Sequence, residues 1–169
     1  MRFLIIFIFF ISNTLASEVP NIRNIVVNKE LKTYDNITFL DSKGKIIKLS
    51  DYKGNLVMLN FWATWCAPCK EEMPSLDVLK VHPNLDNLEI FPINVGKDNL
   101  KKSNLFFEDL NIENLNIYFD NPITLAKSLA LRGVPTTILF NKEGKEFARI
   151  IGSIDFNEQE FLKWISLYN

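Results

Sequence analysis

The alternation of apolar and polar positions divides this chain into short, separately punctuated elements. Residues 37–40 and 45–49 are brief strand-like runs around Asp-Ser-Lys-Gly, a hairpin pattern with Gly44 at the turn. Residues 56–61 are nearly all apolar, as in a central strand covered on both faces. Directly after it the period changes, because Cys69, Met73, Leu76 and Leu79 fall at spacings of four, three and three, one face of a helix. Pro74 lies inside that helix, where its missing N–H and ring clash predict a kink or a division.

Residues 89–95 read as the next buried strand, 100–110 as a helix capped by Asp98 or Asn99, and 116–119 as a further strand. Asn121-Pro122 predicts a cap followed by proline at the first helical position. Leu125, Ala126, Leu129 and Ala130 are the stripe of that helix, and Gly133 is its stop. Residues 136–140 and 146–151 form a second hairpin around Asn-Lys-Glu-Gly. A last helix begins near Asn157, with Glu160 placed for a capping box and Phe161, Ile165 and Tyr168 on its buried face. Residues 17–33 carry no strong period and read as an N-terminal extension or spacer, which leaves 34–169 as one domain. The order of elements predicts an α/β fold with a mixed central sheet, an N-terminal β-hairpin and helices on both faces.

The size agrees with that, since 169 residues with 47% hydrophobic content bury one good core. Nineteen basic and twenty acidic side chains, scattered without long blocks, exclude an electrostatic footprint for nucleic acid. Arg2 precedes a nine-residue apolar run, 3–11, that is too short to span a bilayer and ends at the small residues Thr14 and Ala16. Residues 1–16 therefore read as a secretory signal cleaved after Ala16, with an uncleaved membrane anchor as the alternative.

Export sharpens the meaning of the cysteines. The chain has two, Cys66 and Cys69, and a bridge closing so short a loop yields only about 2 kcal/mol in the chain-entropy model. A structural zinc site needs four ligands, and one histidine, His82, is all that could join the pair. No metal or other cofactor is expected, and redox chemistry is the reading the pair best supports. At the junction of a buried strand and a helix, Cys66 stands at the helix N-terminus, where unpaired N–H groups and the dipole favour a thiolate. Pro68 fits the first helical turn, and Cys69, one turn inward, is the resolving thiol.

The stretch LNFWATWCAPCKEEMP around the cysteines, with LSDYKGN before it and RGVPTTILF and NKEGKEFARIIG after it, resembles the thioredoxin-like proteins. Within them it resembles the exported TlpA/ResA/CcmG-type thiol-disulfide oxidoreductases. The likeness covers about residues 33–169, with 95–120 similar to that branch's strand-helix insert. It implies a thioredoxin-like fold and a redox-active Cys66–Cys69 disulfide. It implies a cis bond before Pro135, whose loop, Val134 to Thr136, pairs with an extended substrate segment, and it places Trp65 on the rim beside the sulfurs and Trp62 inward. Asn60 stands where thioredoxin itself has a buried acid. Glu72 matches a glutamate that exchanges a proton with the thiols, although a solvated carboxylate on the first helical turn is its other reading.

The resemblance also implies a monomer in the periplasm that reduces protein disulfides, such as those of apocytochrome c, with electrons from a membrane thiol carrier of the DsbD/CcdA type. Three alternatives fit the residues less well. A DsbA-type oxidant usually has histidine where Pro68 stands, and a Sco-like copper carrier needs a downstream histidine that this chain lacks. A peroxidase would need proline and threonine where Leu59 and Ala63 stand.

Overall fold

Strand β4 (Leu56–Trp62) is buried at every position, as its nearly all-apolar run predicts, and it lies at the centre of the sheet. The computed structural model describes residues 20–169. On one side β5 (Leu88–Asn94) runs parallel to β4, followed by the short parallel strand β6 (Tyr118–Phe119) and the antiparallel hairpin of β2 (Thr38–Asp41) and β3 (Ile46–Lys48). On the other side come β7 (Thr136–Phe140), β8 (Glu146–Ile151) and β1 (Ile25–Lys32), each antiparallel to its neighbour. The eight strands lie in the order β1-β8-β7-β4-β5-β6-β2-β3.

Successive β4 side chains point to opposite faces and so divide the core in two. Leu56, Met58 and Trp62 pack with α1 (Ala67–Lys80), α2 (Leu100–Asp109) and α4 (Gln159–Ser166) through Met73, Phe106, Phe161 and others. Val57, Leu59 and Phe61 join Phe91, Ile138 and Phe140 beneath the short helix α3 (Leu125–Ser128). Burial of each such side chain is worth roughly 1.5–3 kcal/mol. Asn60 is the one polar member of β4, and its parity turns it toward α1.

Several local expectations are corrected. Residues 25–32, read as part of the extension over 17–33, form strand β1 on β8; Ile25 alone in it is buried, and one buried side chain leaves no period to detect. Helix α1 passes through Pro74 undivided. Asn121-Pro122 is a cis peptide rather than a helix start, and α3 begins only at Leu125. That helix ends at Ser128, well before Gly133, because Ala130 takes the left-handed conformation at φ 53°. Asn99, not Asp98, caps α2, its Oδ1 accepting from the Lys102 amide at 2.9 Å. No capping box forms at α4, where Glu160 instead accepts from the backbone N–H of Asn21. The leader read over residues 1–16 lies outside the described residues, among which no helix is long and apolar enough to cross a membrane.

Candidate functional site

Helix α1 starts directly after Cys66, whose extended backbone (φ −88°, ψ 103°) makes it the N-cap. A sulfur replaces the usual oxygen acceptor: Cys66 Sγ accepts from the Cys69 amide at 3.2 Å. Pro68 sits in the first turn, where it gives up an N–H that has no helical partner. Cys66 and Cys69 are joined as a disulfide; Cys66 keeps 4% of its surface in solvent and Cys69 none. Trp65 beside them is 71% exposed, whereas Trp62 is fully buried against Phe106 and Phe107.

The register of β7 on β4, with Thr136 opposite Phe61, brings the residues before β7 to the sheet end that carries the disulfide. Here the Val134-Pro135 peptide is cis. Thr136 Oγ1 donates to the Gly133 carbonyl at 2.8 Å, and the Pro135 carbonyl accepts from the Gly152 amide at 3.0 Å. Neither backbone group of Val134 has a hydrogen-bond partner among the described residues.

Beneath the disulfide lies a buried polar cluster. Glu72, one turn beyond Cys69 on α1, is 2% exposed, which removes the reading of a solvated carboxylate. Asn60 Nδ2 donates to Glu72 Oε1 at 2.8 Å and to Thr137 Oγ1, on the facing strand, at 2.9 Å. Glu72 Oε2 and Asn60 Oδ1 are buried without a partner. Burial pushes the Glu72 carboxyl up to about 7, against the lowering effects of the Asn60 bond and of the Ile154 backbone. A cleft of about 560 Å³, lined by Glu71, Glu72, Pro74, Ser75 and the residues around Ile154, opens beside this carboxyl toward solvent.

A second support comes from the turn after β5. Asp98 Oδ2 accepts from the Thr64 amide and from Asn94 Nδ2, both at 3.1 Å, and so ties this turn to the residues that lead into Cys66. Burial raises the Asp98 carboxyl, but these donors outweigh it and hold the group below its ordinary value. Gly96 fits under the loop because it lacks a side chain; a Cβ there would stand 2.6 Å from Asp98 Oδ2 and 2.8 Å from Ala63 Cβ.

The structure therefore gathers Cys66, Cys69, Pro68, Glu72, Asn60 and Trp65 around α1, and Val134, Pro135 and Thr136 on the neighbouring loop. His82 follows α1, where its Nδ1 accepts from the Asn84 amide at 3.3 Å, away from this cluster. Among the described residues no group of three or more His, Cys, Asp or Glu side chains is placed to hold a metal ion. Nothing in the sequence marks Thr137 or Gly96 as part of the site, and Asp98 reads there only as a candidate helix cap. The strand register that pairs Thr137 with Asn60 is non-local, and the Gly-Lys-Asp after β5 was a visible turn signal that nothing local tied to the cysteines.

Comparison with known proteins agrees with this geometry. The sequence profile of the AhpC/TSA family matches residues 25–145. The thiol-disulfide oxidoreductase ResA of Bacillus subtilis is 35% identical over 119 residues, 70% of this chain and 65% of that protein. ResA of Bacillus thuringiensis subsp. konkukian is 31% identical over 136 residues, 80% of this chain and 78% of its own. In the fold, the crystal structure of a DsbE thiol:disulfide interchange protein from Chlorobium tepidum superposes with a TM-score of 0.71, covering 85% of this chain and 99% of that one at 20% identity. That likeness establishes the thioredoxin-like fold.

Proposed function

Because the chain belongs to the AhpC/TSA family and is a thiol-disulfide oxidoreductase of the ResA type, we propose that it is an exported reductant of protein disulfides. The observation that carries the proposal is the Cys66–Cys69 disulfide at the N-terminus of α1, with Cys66 Sγ already the acceptor of a helical N–H. After reduction the same N–H and the helix dipole stabilise a Cys66 thiolate. Lowering a thiol pKa from ~8.5 to ~7 raises the thiolate fraction at neutral pH from about 3% to about 50%.

In the reaction, the Cys66 thiolate attacks one sulfur of a client disulfide. The client S–S bond breaks, and its other sulfur leaves as a thiolate that takes up a proton. The client remains bonded to Cys66, its backbone paired with the free N–H and carbonyl of Val134 beside Pro135, with Thr136 fixing that turn and Trp65 shielding the sulfurs. Glu72 accepts the proton of Cys69 through the buried cluster, Asn60 orienting its carboxylate. The Cys69 thiolate then attacks Cys66 Sγ, the mixed disulfide breaks, and the client leaves with both thiols reduced. Two electrons have passed to the client, and the pair is the disulfide of the present structure.

The leader-like residues 1–16 support an extracytoplasmic, periplasmic location, where two fresh electrons per turnover must come from a membrane thiol carrier of the DsbD/CcdA type. Apocytochrome c thiols are the client class that the family resemblance suggests. A peroxidase role is disfavoured by Leu59 and Ala63 in the places of the required proline and threonine. Trapping in cells tests the reading: Cys69→Ser is expected to accumulate mixed disulfides between Cys66 and exported clients, released by dithiothreitol, whereas Cys66→Ser is not. Equal capture by the two variants, or none by either, contradicts it.

A further inference from the structure

On the α3 side of the sheet, a groove of about 470 Å³ runs from Thr136 between the edge strand β1 with its neighbour β8 and the turn that follows α3. Thr136, next to Pro135, is among its lining residues, and Val26 and Ile151, each half exposed, give it an apolar wall. Three cationic side chains, Lys32, Arg132 and Arg149, line the groove, and no acidic residue does.

The countercharge is confined beneath the surface. Glu146 is fully buried and accepts from Arg149 Nε and Nη2, each at 2.8 Å, from the Tyr34 hydroxyl at 2.6 Å and from Asn28 Nδ2 at 2.9 Å. Lys32 reaches the same carboxylate at 3.5 Å, so two cations share one negative charge. Arg132 is exposed and has no ion pair among the described residues. Two positive charges are thus left uncompensated at the groove, one from the Lys32–Arg149 pair over Glu146 and one from Arg132. Arg132 stands two residues before Val134, which places this excess beside the segment proposed to pair with the client.

We propose that this groove receives an acidic stretch of the client polypeptide, adjacent to its reacting cysteine, and that Arg132 and Lys32 select for it. The inference rests on the reductase reading, in which the client chain pairs with Val134. Continued past that point, an extended chain advances ~3.3 Å per residue, so two to four residues beyond the cysteine reach ~7–13 Å toward the groove. Its carboxylates would meet Arg132 and Lys32, and its apolar residues Val26 and Ile151. Partly exposed charges of this kind act chiefly on association and are weakened by salt.

The test uses the reduced protein and disulfide-cyclised peptides of one sequence, differing only in an Asp-Asp or an Asn-Asn pair placed two to four residues beyond a cysteine, on either flank. Second-order rate constants for peptide reduction are expected to favour Asp-Asp on the order of 3- to 10-fold at low ionic strength, on one flank only, with the advantage shrinking at ~0.5 M salt. Arg132→Glu should erase or invert the preference, and Lys32→Gln should reduce it. Equal rates for the two peptides, or a preference that survives Arg132→Glu, overturn the groove and leave the reductase reading intact. If neither peptide is reduced, the reductase reading falls and takes this inference with it.

Discussion

Glu72 has one hydrogen-bonded oxygen and one without a partner, both out of water, so its negative charge is supported from one side only. Its carboxyl at about 7 can hold or release a proton at neutral pH. Glu72→Gln keeps the shape and removes the acceptor; the rate at which Cys69 resolves a preformed mixed disulfide on Cys66 should fall by roughly tenfold or more, and the pH profile of that step, in which Cys66 no longer titrates, should lose its inflection near 7. A profile that keeps this inflection would assign it to another group. Gly96→Ala makes a different test, since its methyl must displace Asp98 or Ala63. An overpacking cost of about 1–3 kcal/mol is expected in urea unfolding, together with a changed Trp65 emission. Cys66 and Cys69 were legible because the whole cysteine supply lies in one spacing. The position of Glu72 was legible too, but its burial was not, because carboxylates near a helix start usually face water; Glu72 lies in the second turn of α1, not the first. What buries it is the packing of α1 on β4, with Asn60 and Thr137 brought together by strand register.

Short elements here are held by tertiary partners rather than by their own sequence. Asp120 is buried and accepts from three successive amides at the start of α3, those of Thr124, Leu125 and Ala126, at 3.1, 3.0 and 2.7 Å. Asp120→Ala should cost about 1–2 kcal/mol and loosen the helix that covers one core face. At its other end, the Ala130 amide bonds the Lys127 carbonyl and the Leu131 amide the Ala126 carbonyl, a Schellman closure with alanine at the left-handed position. Ala130→Gly should therefore stabilise the protein by roughly 0.5–1 kcal/mol, seen as a rise of about 1–4 °C in Tm. A fall in Tm would mean that the Ala130 methyl contributes more by packing than its backbone costs. These caps explain what the sequence reading missed: Asn121-Pro122 has the signature of a helix start, yet the cap comes from the residue before it. Long elements with strong periods, β4, β5, α1 and α2, were readable from local pattern alone. Strand β1, with Ile25 as its single buried residue, was not.

For the whole molecule, two buried glutamates set opposing pH dependences. Glu72 is raised from 4.5 to about 7, so its contribution to stability is full below about 4.5 and is lost as pH rises through 7, a span on the order of 3 kcal/mol. Burial also raises Glu146, but hydrogen bonds from Arg149, Tyr34 and Asn28 and the charge of Arg149 outweigh it and lower the carboxyl to about 2. Its contribution is present above about 4.5 and is lost as pH falls toward 2. Chemical-denaturation stability should accordingly peak near pH 4.5–5 in the dithiol and disulfide forms alike, and Glu72→Gln should flatten the decline toward pH 8 while keeping the acid limb. A decline that persists unchanged in Glu72→Gln would place its origin elsewhere. The central claim is the direction of electron flow, and the reduction potential of Cys66–Cys69 tests it most directly. The purified domain, equilibrated in thiol-disulfide buffers, can be followed by the fluorescence of the exposed Trp65 and of the buried Trp62. A potential near or below about −220 mV is the result expected of a reductant, and one near about −120 mV, the range of a strong dithiol oxidant, would contradict it.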